Sequence, residues 1–203
     1  DHVGENMLDH MRCCVSYRVK GALTVNDIVH GVFAKLRAGI QFVTTRRGWL
    51  RTATMNSQLA ARSGQDADRA DLKLQLNGIS NDFTRRGQLE YPIDRFPGLS
   101  ILNWPIYPRS TGRVHIAGTA PWNHPDILTN FLSDSYDQRL AVAGLRLARR
   151  LAGQPAFEPF IEAETFPGVD VESDDELLAY AKGTGTFTGT DWERAMGWCW
   201  HEG

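Results

Sequence analysis

Met11-Arg12-Cys13-Cys14-Val15-Ser16-Tyr17-Arg18-Val19-Lys20 is the stretch from which the fold can be read. Met11, Cys13, Val15, Tyr17 and Val19 alternate with Arg12, Cys14, Ser16, Arg18 and Lys20. The period of two predicts a β-strand with one apolar and one polar face. Leu72, Leu74 and Leu76 alternate with Lys73, Gln75 and Asn77 in the same way and predict a second such strand. Residues 52–61 and 113–118 read as further strands. Residues 99–106 read as a strand that Pro105 confines to an edge or an end. Residues 80–97, rich in Gly, Pro and charge, read as a long loop.

Helical periodicity appears at three places. Thr24 or Asn26 caps a helix in which Ile28, Val29, Val32, Phe33, Leu36 and Ile40 recur at helical spacing. Ser133, Asp134 or Ser135 caps the most strongly patterned helix, whose buried stripe reads Leu140, Gly144, Leu147, Ala148 and Leu151. Gly153 and Pro155 stop it, and Arg146, Arg149 and Arg150 read as a solvated, dipole-complementing end. Ser173-Asp174-Asp175-Glu176 is a capping box that opens a shorter helix through Leu177, Leu178 and Tyr180. Strands predominate before residue 120 and helices after it. The fold class is α+β, a mostly antiparallel sheet with helices packed on one side.

Composition narrows the function. The chain has 203 residues, with 22 Lys+Arg against 24 Asp+Glu and a net charge of -2. That balance gives no electrostatic reason for nucleic acid or an anionic membrane as the main partner. At 42% hydrophobic and 10% aromatic residues there is ample material for a core, and no apolar run approaches a membrane span. Three irregularly spaced cysteines exclude a disulfide scaffold and a Cys-rich zinc module, and point to a reducing, cytoplasmic setting. His115 and His124 have no ligand-spaced partners, so no metal site is expected. Adjacent Cys13 and Cys14 point to opposite faces of a strand, which leaves Cys13 for the core. Trp104, Trp122, Trp198 and Trp200 are candidates either for burial or for a substrate cage. The chain opens at Asp1 and closes at Gly203 with neither end patterned as a terminus, and both are read as cut.

A series of short motifs, in order, resembles the glucose-methanol-choline (GMC) family of flavin-dependent alcohol oxidoreductases. Val3-Gly4-Glu5-Asn6-Met7-Leu8-Asp9-His10 resembles that family's V-G-E-N-L-Q-D-H. Leu23-Thr24-Val25-Asn26-Asp27 resembles T-L-N-D, Thr45-Arg46-Arg47-Gly48 resembles R-R-G-P, and Ser57-Gln58-Leu59 resembles the S-Q-L-G of choline-dehydrogenase-like members. Asp71-Leu72-Lys73-Leu74-Gln75 resembles P-D-L-Q-x-H. Pro108-Arg109-Ser110-Thr111-Gly112-Arg113-Val114 resembles P-x-S-R-G-x-V. Pro125 through Asp137 resembles P-x-I-x-x-N-Y-L-S followed by D, and Leu145 through Pro155 resembles L-R-x-x-R-x-x-x-x-Q-P. Pro167-Gly168 and Ser173 through Tyr180 resemble P-G and S-D-E-E-L-x-x-Y.

The resemblance implies an FAD enzyme that oxidises an alcohol by passing hydride to the flavin, with this chain covering the substrate domain. It implies residues 1–10 as a segment adjoining the flavin domain, 11–187 as the substrate-binding domain and 188–203 as a divergent tail. Asn6, Asp9 and His10 match the segment that passes close to the flavin and are the cofactor-binding candidates. Gln58 matches a position facing the substrate cavity, and Gln75 and Asn77 on a polar strand face are candidates to line it. An amide at residue 58 supplies no charge, which argues against a quaternary ammonium substrate such as choline. The expected partners are a small alcohol and the missing FAD-binding portion.

Two pieces of the family pattern are missing. No Gly-rich strand–turn–helix of the Rossmann type is present to cradle a pyrophosphate; Gly183-Thr184-Gly185 follows a helix and reads as a turn. The family's catalytic Y-H-P-V-G-T-C-R-M-G is replaced by residues 187–197, where only Met196-Gly197 matches, so no catalytic residue is assigned. Codons for residues 191–195 can read Leu-Gly-Thr-Cys in a shifted frame, with a possible His two places earlier, and the tail is read as a frame-shifted form of that motif. The alternative reading is a stand-alone, non-catalytic binding protein descended from the same domain.

Overall fold

The computed structural model describes residues 3–51, 55–65, 67–82, 92–184 and 186–187. In chain order the elements are β1 (Met11–Val19), α1 (Val25–His30), α2 (Val32–Thr45), a 3-10 turn (Trp49–Arg51), β2 (Met55–Ala61), β3 (Leu72–Asn77) and β4 (Gly98–Pro105). There follow β5 (Arg113–His115), β6 (Asp126–Leu128), α3 (Ser135–Ala152), β7 (Ile161–Phe166), α4 (Asp174–Thr184) and β8 (Thr186–Phe187). The main sheet runs β2-β3-β4-β1-β7, with every neighbouring pair antiparallel and β8 on the other end of β1. β5 and β6 form a separate two-stranded ribbon. This is the α+β, antiparallel architecture expected.

The strand reading holds for β1, but its two faces are less unlike than alternation implies. Cys13, Val15 and Tyr17 are buried, and so are Cys14 and Ser16. Ser100 Oγ donates to the Ile79 carbonyl at 2.8 Å, so the 3.1 Å contact between Ser16 Oγ and Ser100 Oγ is a hydrogen bond donated by Ser16. A satisfied hydroxyl pair is tolerated inside where a lone one is costly. Pro105 closes β4 at its last residue, an end rather than an edge, because β4 is flanked by β3 and β1.

α3 supplies the main cover for the sheet. Asp134 caps it by accepting the Tyr136 amide at 2.7 Å. Leu140, Ala141, Gly144, Leu145 and Ala148 are buried against Val15, Tyr17, Leu72, Leu74 and Ile101. The stripe is therefore shifted from the one expected, with Leu147 and Leu151 only partly buried. Gly144 sits where a Cβ would lie 2.3 Å from Asn103 Oδ1, so glycine is what lets the helix approach β4. α4, opened by the expected Ser173/Glu176 capping box, packs Leu177 and Ala181 into the same core.

Four expectations are corrected. The helix after Thr24 is two helices, broken at Gly31, and Val32, Phe33, Leu36 and Ile40 point outward with exposures of 55–87%. Helical spacing identifies the helix but not which side is covered. Within residues 80–97, Asn81 and Ile93 form an antiparallel bridge, so that stretch is not wholly a loop. The strand β7 went unread after the long helix, and its two bulges against β1 break its alternation. Arg149 is not a solvated helix end. It makes a two-pronged bond to Glu164 at 2.7 and 3.0 Å and donates to the carbonyls of Gly168 and Val171, tying α3 to β7. Arg146 likewise pairs with Asp174.

These packing assignments set a test. Leu145→Ala, at a fully buried site, should cost about 2–5 kcal/mol in a urea titration. Leu36→Ala, on the outward side of α2, should change stability by less than about 0.5 kcal/mol.

Candidate functional site

The sheet has one face under α3 and one turned away from it. Strand register decides which residues share the second face. Gln58 pairs with Gln75, Gln75 with Leu102, and Leu102 with Cys14, so these four form one row across β2, β3, β4 and β1. Ala60, Lys73 and Trp104 form the next row, and Asn77, Ser100 and Ser16 the row on the other side. The three substrate-binding candidates are thus brought together. Gln75 Nε2 donates to Asn77 Oδ1 at 2.9 Å, and Gln75 is buried while Gln58 beside it is exposed. Buried amides must be paired, and the bond fixes the side chain of Asn77 in turn.

Among the described residues the one charged side chain in these rows is Lys73; Arg18 lies beyond them on β1 and interacts electrostatically with Asp94. Lys73 Nζ lies 5.1 Å from the centroid of Trp104, and the Arg18 guanidinium 4.4 Å from that of Phe96. No strand position in these rows holds a carboxylate. Of the other tryptophans, Trp122 is exposed, and Trp198 and Trp200 lie outside the described residues.

The amino-terminal segment enters from the small ribbon. Met7 and Gly112 exchange backbone bonds at 2.9 and 2.8 Å, and Val114 donates to the Gly4 carbonyl at 2.7 Å. Gly4 has φ +84°, and a Cβ there would lie 2.1 Å from the Val114 carbonyl oxygen, so this clip requires glycine. His115 and Glu5 add a 2.7 Å contact across it. Asp9 accepts the His10 amide at 2.7 Å, and His10 Nδ1 donates to the Pro105 carbonyl at 2.8 Å. Two of the three cofactor candidates therefore brace the crossing from the ribbon into β1. Asn6, at φ +57°, is exposed.

Asp9 and His10 spend hydrogen bonds on their own chain. Among the described residues every strand pair is antiparallel, so no parallel strand–helix unit presents amides to a pyrophosphate. The substituted catalytic stretch from residue 188 onward lies outside the described residues, as does the tail domain assigned there.

Sequence reading missed residues that hold this site in place. Asn26, 1% exposed, donates to Ser80 Oγ and to the carbonyls of Ser80, Asp94 and Phe96, and its Oδ1 accepts the Ser80 amide at 3.1 Å. It anchors both ends of the β3–β4 connection beside the amide face. Asp137 accepts the amides of Arg109 and Ser110, fixing the turn that leads into the ribbon. Both lie in the motifs quoted above, and their burial is the signal that sequence could not supply.

Burial pushes the Cys13 thiol up to about 12, with the neighbouring Cys14 adding to it. Burial likewise raises Cys14 to about 11, partly offset by hydrogen bonding with Tyr180 and Ser16 and by the charge of Arg12. Both stay protonated at neutral pH and are poor nucleophiles. Among the described residues no cluster of three metal-ligating side chains occurs. Nor is any described helix long and apolar enough to cross a membrane.

Comparison with known proteins adds the following. Residues 108–192 match the family model described as GMC oxidoreductase. An oxygen-dependent choline dehydrogenase of Staphylococcus saprophyticus is 27% identical over 189 residues, covering 90% of this chain and 32% of the relative. That of Staphylococcus epidermidis is 27% identical over 186 residues, covering 90% and 31%. The chain spans about a third of the length of these relatives. A formate oxidase structure superposes with TM-score 0.78 at 19% identity, covering 93% of this chain and 37% of that one. A pyridoxine 4-oxidase from Mesorbium loti gives 0.67 at 15%, covering 92% and 32%. At these identities the structures establish a shared fold.

Two outcomes follow from the thiols. Peptide mapping after brief alkylation at pH 8 should leave Cys13 and Cys14 unmodified in the folded chain and modify both in urea. The fold holds these protons more tightly than the unfolded chain, whose thiols ionise near the ordinary 9.0. Their contribution to stability is therefore intact below about pH 9 and declines as pH rises toward the folded values. The urea midpoint should hold from pH 7 to 8.5 and fall above about pH 9.

Proposed function

We propose, starting from the membership of this chain in the GMC oxidoreductase family, that it is the substrate-domain portion of an FAD-dependent alcohol dehydrogenase or oxidase. The row Gln58–Gln75 with Asn77, on the sheet face turned away from α3, is the observation that carries this reading. In the complete protein that face forms one wall of the substrate cavity. The amino-terminal clip, with Asn6, Asp9 and His10, lies on the side that meets the flavin-binding portion. FAD is the cofactor of that complete protein, and the net reaction is hydride transfer from an alcohol CH–OH group to it.

The contribution of this chain is binding and orientation. An amide offers both a donor and an acceptor, so Gln58 and Asn77 can hold a hydroxyl without imposing charge. Gln75, buried and bonded to Asn77, is a positioning residue: it fixes where the Asn77 amide points. No base for the hydroxyl proton is assigned within the described residues.

The same face favours a neutral alcohol over choline. A trimethylammonium group is stabilised by a carboxylate or an aromatic cage. Here the rows carry Lys73 and no carboxylate, Trp104 already faces that lysine, and Phe96 faces Arg18. The choline dehydrogenase relatives thus give the chemistry and not the substrate.

Tests follow. The purified 203-residue chain with added FAD should show no alcohol-dependent dye reduction; turnover by the chain alone would contradict the assignment. In the intact flavoprotein, Gln75→Leu should raise KM for the alcohol several-fold, with the flavin absorbance spectrum unchanged. An unchanged KM would remove the face from the substrate cavity. Choline should give less than about a tenth of the kcat/KM of a neutral primary alcohol, a difference of more than about 1.4 kcal/mol in transition-state binding.

A further inference from the structure

On the α3 side of the sheet, opposite the amide row, a cleft of about 770 Å³ opens between the β2–β3 turn and the first turns of α3. Three arginines line it: Arg69 from the turn, Arg109 from the segment after β4, and Arg139 from α3. Among the described residues none has a carboxylate partner. The Arg69 guanidinium lies 3.7 Å from the ring centroid of Tyr107, and that of Arg109 lies 4.0 Å from Tyr136. Among the described residues Arg139 bonds the Ser135 hydroxyl, at 3.2 Å.

The aromatic contacts matter for what the arginines can do. A guanidinium held against a ring keeps the N–H groups along its edges available, and its orientation is already restricted. Such forks match the paired oxygens of a carboxylate or phosphate, and less entropy is lost when they engage. Among the described residues, Asp68 and Asp71 also line the cleft. Asp71 is buried, and its oxygens accept the Ser63 amide at 2.7 Å and the Ser63 hydroxyl at 2.6 Å; Tyr136 is a further hydrogen-bond partner. Asp71 therefore shapes the wall, while Asp68 stands exposed at the rim. Among the described lining residues, three guanidiniums stand against two carboxylates.

We propose that this cleft is a second binding site, separate from the substrate face, for an oxyanion group gripped by Arg69, Arg109 and Arg139. The group is a carboxylate or a phosphate carried by a small molecule. The two tyrosines give room for a flat or apolar body beside it.

Calorimetric titration of the 203-residue chain in low salt, with inorganic pyrophosphate in one arm and citrate in the other, tests this. Saturable one-site binding of either probe is expected, weakening as chloride is raised. The stronger arm identifies phosphate or carboxylate as the preferred source. The exposed pair Arg69→Gln and Arg139→Gln together should weaken binding at least tenfold while leaving the thermal midpoint within a few degrees. Arg139→Lys, which keeps the charge but loses the fork, should fall between. Absence of saturable binding in both arms overturns the proposal. So does unchanged affinity in the double variant or in a folded Arg139→Gln single variant.

Discussion

The strand Met11–Val19 is hydrogen-bonded along both edges, and this constraint organises everything around it. On one edge it pairs with β4 from Cys13 to Arg18. On the other, β7 takes Ser16 to Val19 and β8 takes Met11 and Arg12. In the gap between them the Cys14 carbonyl accepts the Tyr180 hydroxyl at 2.6 Å. That bond brings α4 to the sheet, and Phe166 meets the Tyr180 ring edge-on at 5.1 Å. A buried carbonyl without a partner is expensive, so the tyrosine completes the ladder where no strand reaches. With β1 fixed on both sides, α3 has a rigid surface to pack on. The far face of β2 and β3 then presents Gln58, Gln75 and Asn77 side by side.

Much of this was legible because it depends on local pattern. Alternation in β1 and β3, the Asp134 cap and the Ser173/Glu176 box each encode a backbone conformation within a few residues. What failed depends on tertiary neighbours. Phe33 and Leu36 sit at perfect helical spacing on α2 and still face outward, because nothing in a periodic pattern says which side finds cover. Arg149 reads as a helix-end cation until Glu164, fifteen residues on, is brought beside it by β7. Cys14 reads as polar-face and is buried, because Leu102 and Tyr180 reach it from distant positions.

The site divides in the same manner. Gln75 and Asn77 share a face by strand period alone, and their pairing with Gln58 needed only the antiparallel register. Asp9 and His10 were read toward a cofactor, and the structure gives them bonds within their own chain. Asn26 and Asp137 sit in motif positions whose work is to hold backbone. Their roles are invisible until residues fifty or more positions away (for Asn26), or the turn at Arg109 and Ser110 (for Asp137), come into contact. Family-like motifs in this chain thus mark the scaffold of the proposed cavity as much as its lining.

The central claim is that these residues are one part of a flavoenzyme, and the coding DNA tests it most directly. Sequencing through both ends of the region should reveal an in-frame G-x-G-x-x-G upstream of the Asp1 codon. It should also reveal His and Cys codons of an H-x-L-G-T-C in a shifted frame across residues 189–195. A start codon immediately before Asp1 with a stop immediately after Gly203, and no such codons in any frame, would contradict the account and leave a separate small binding protein.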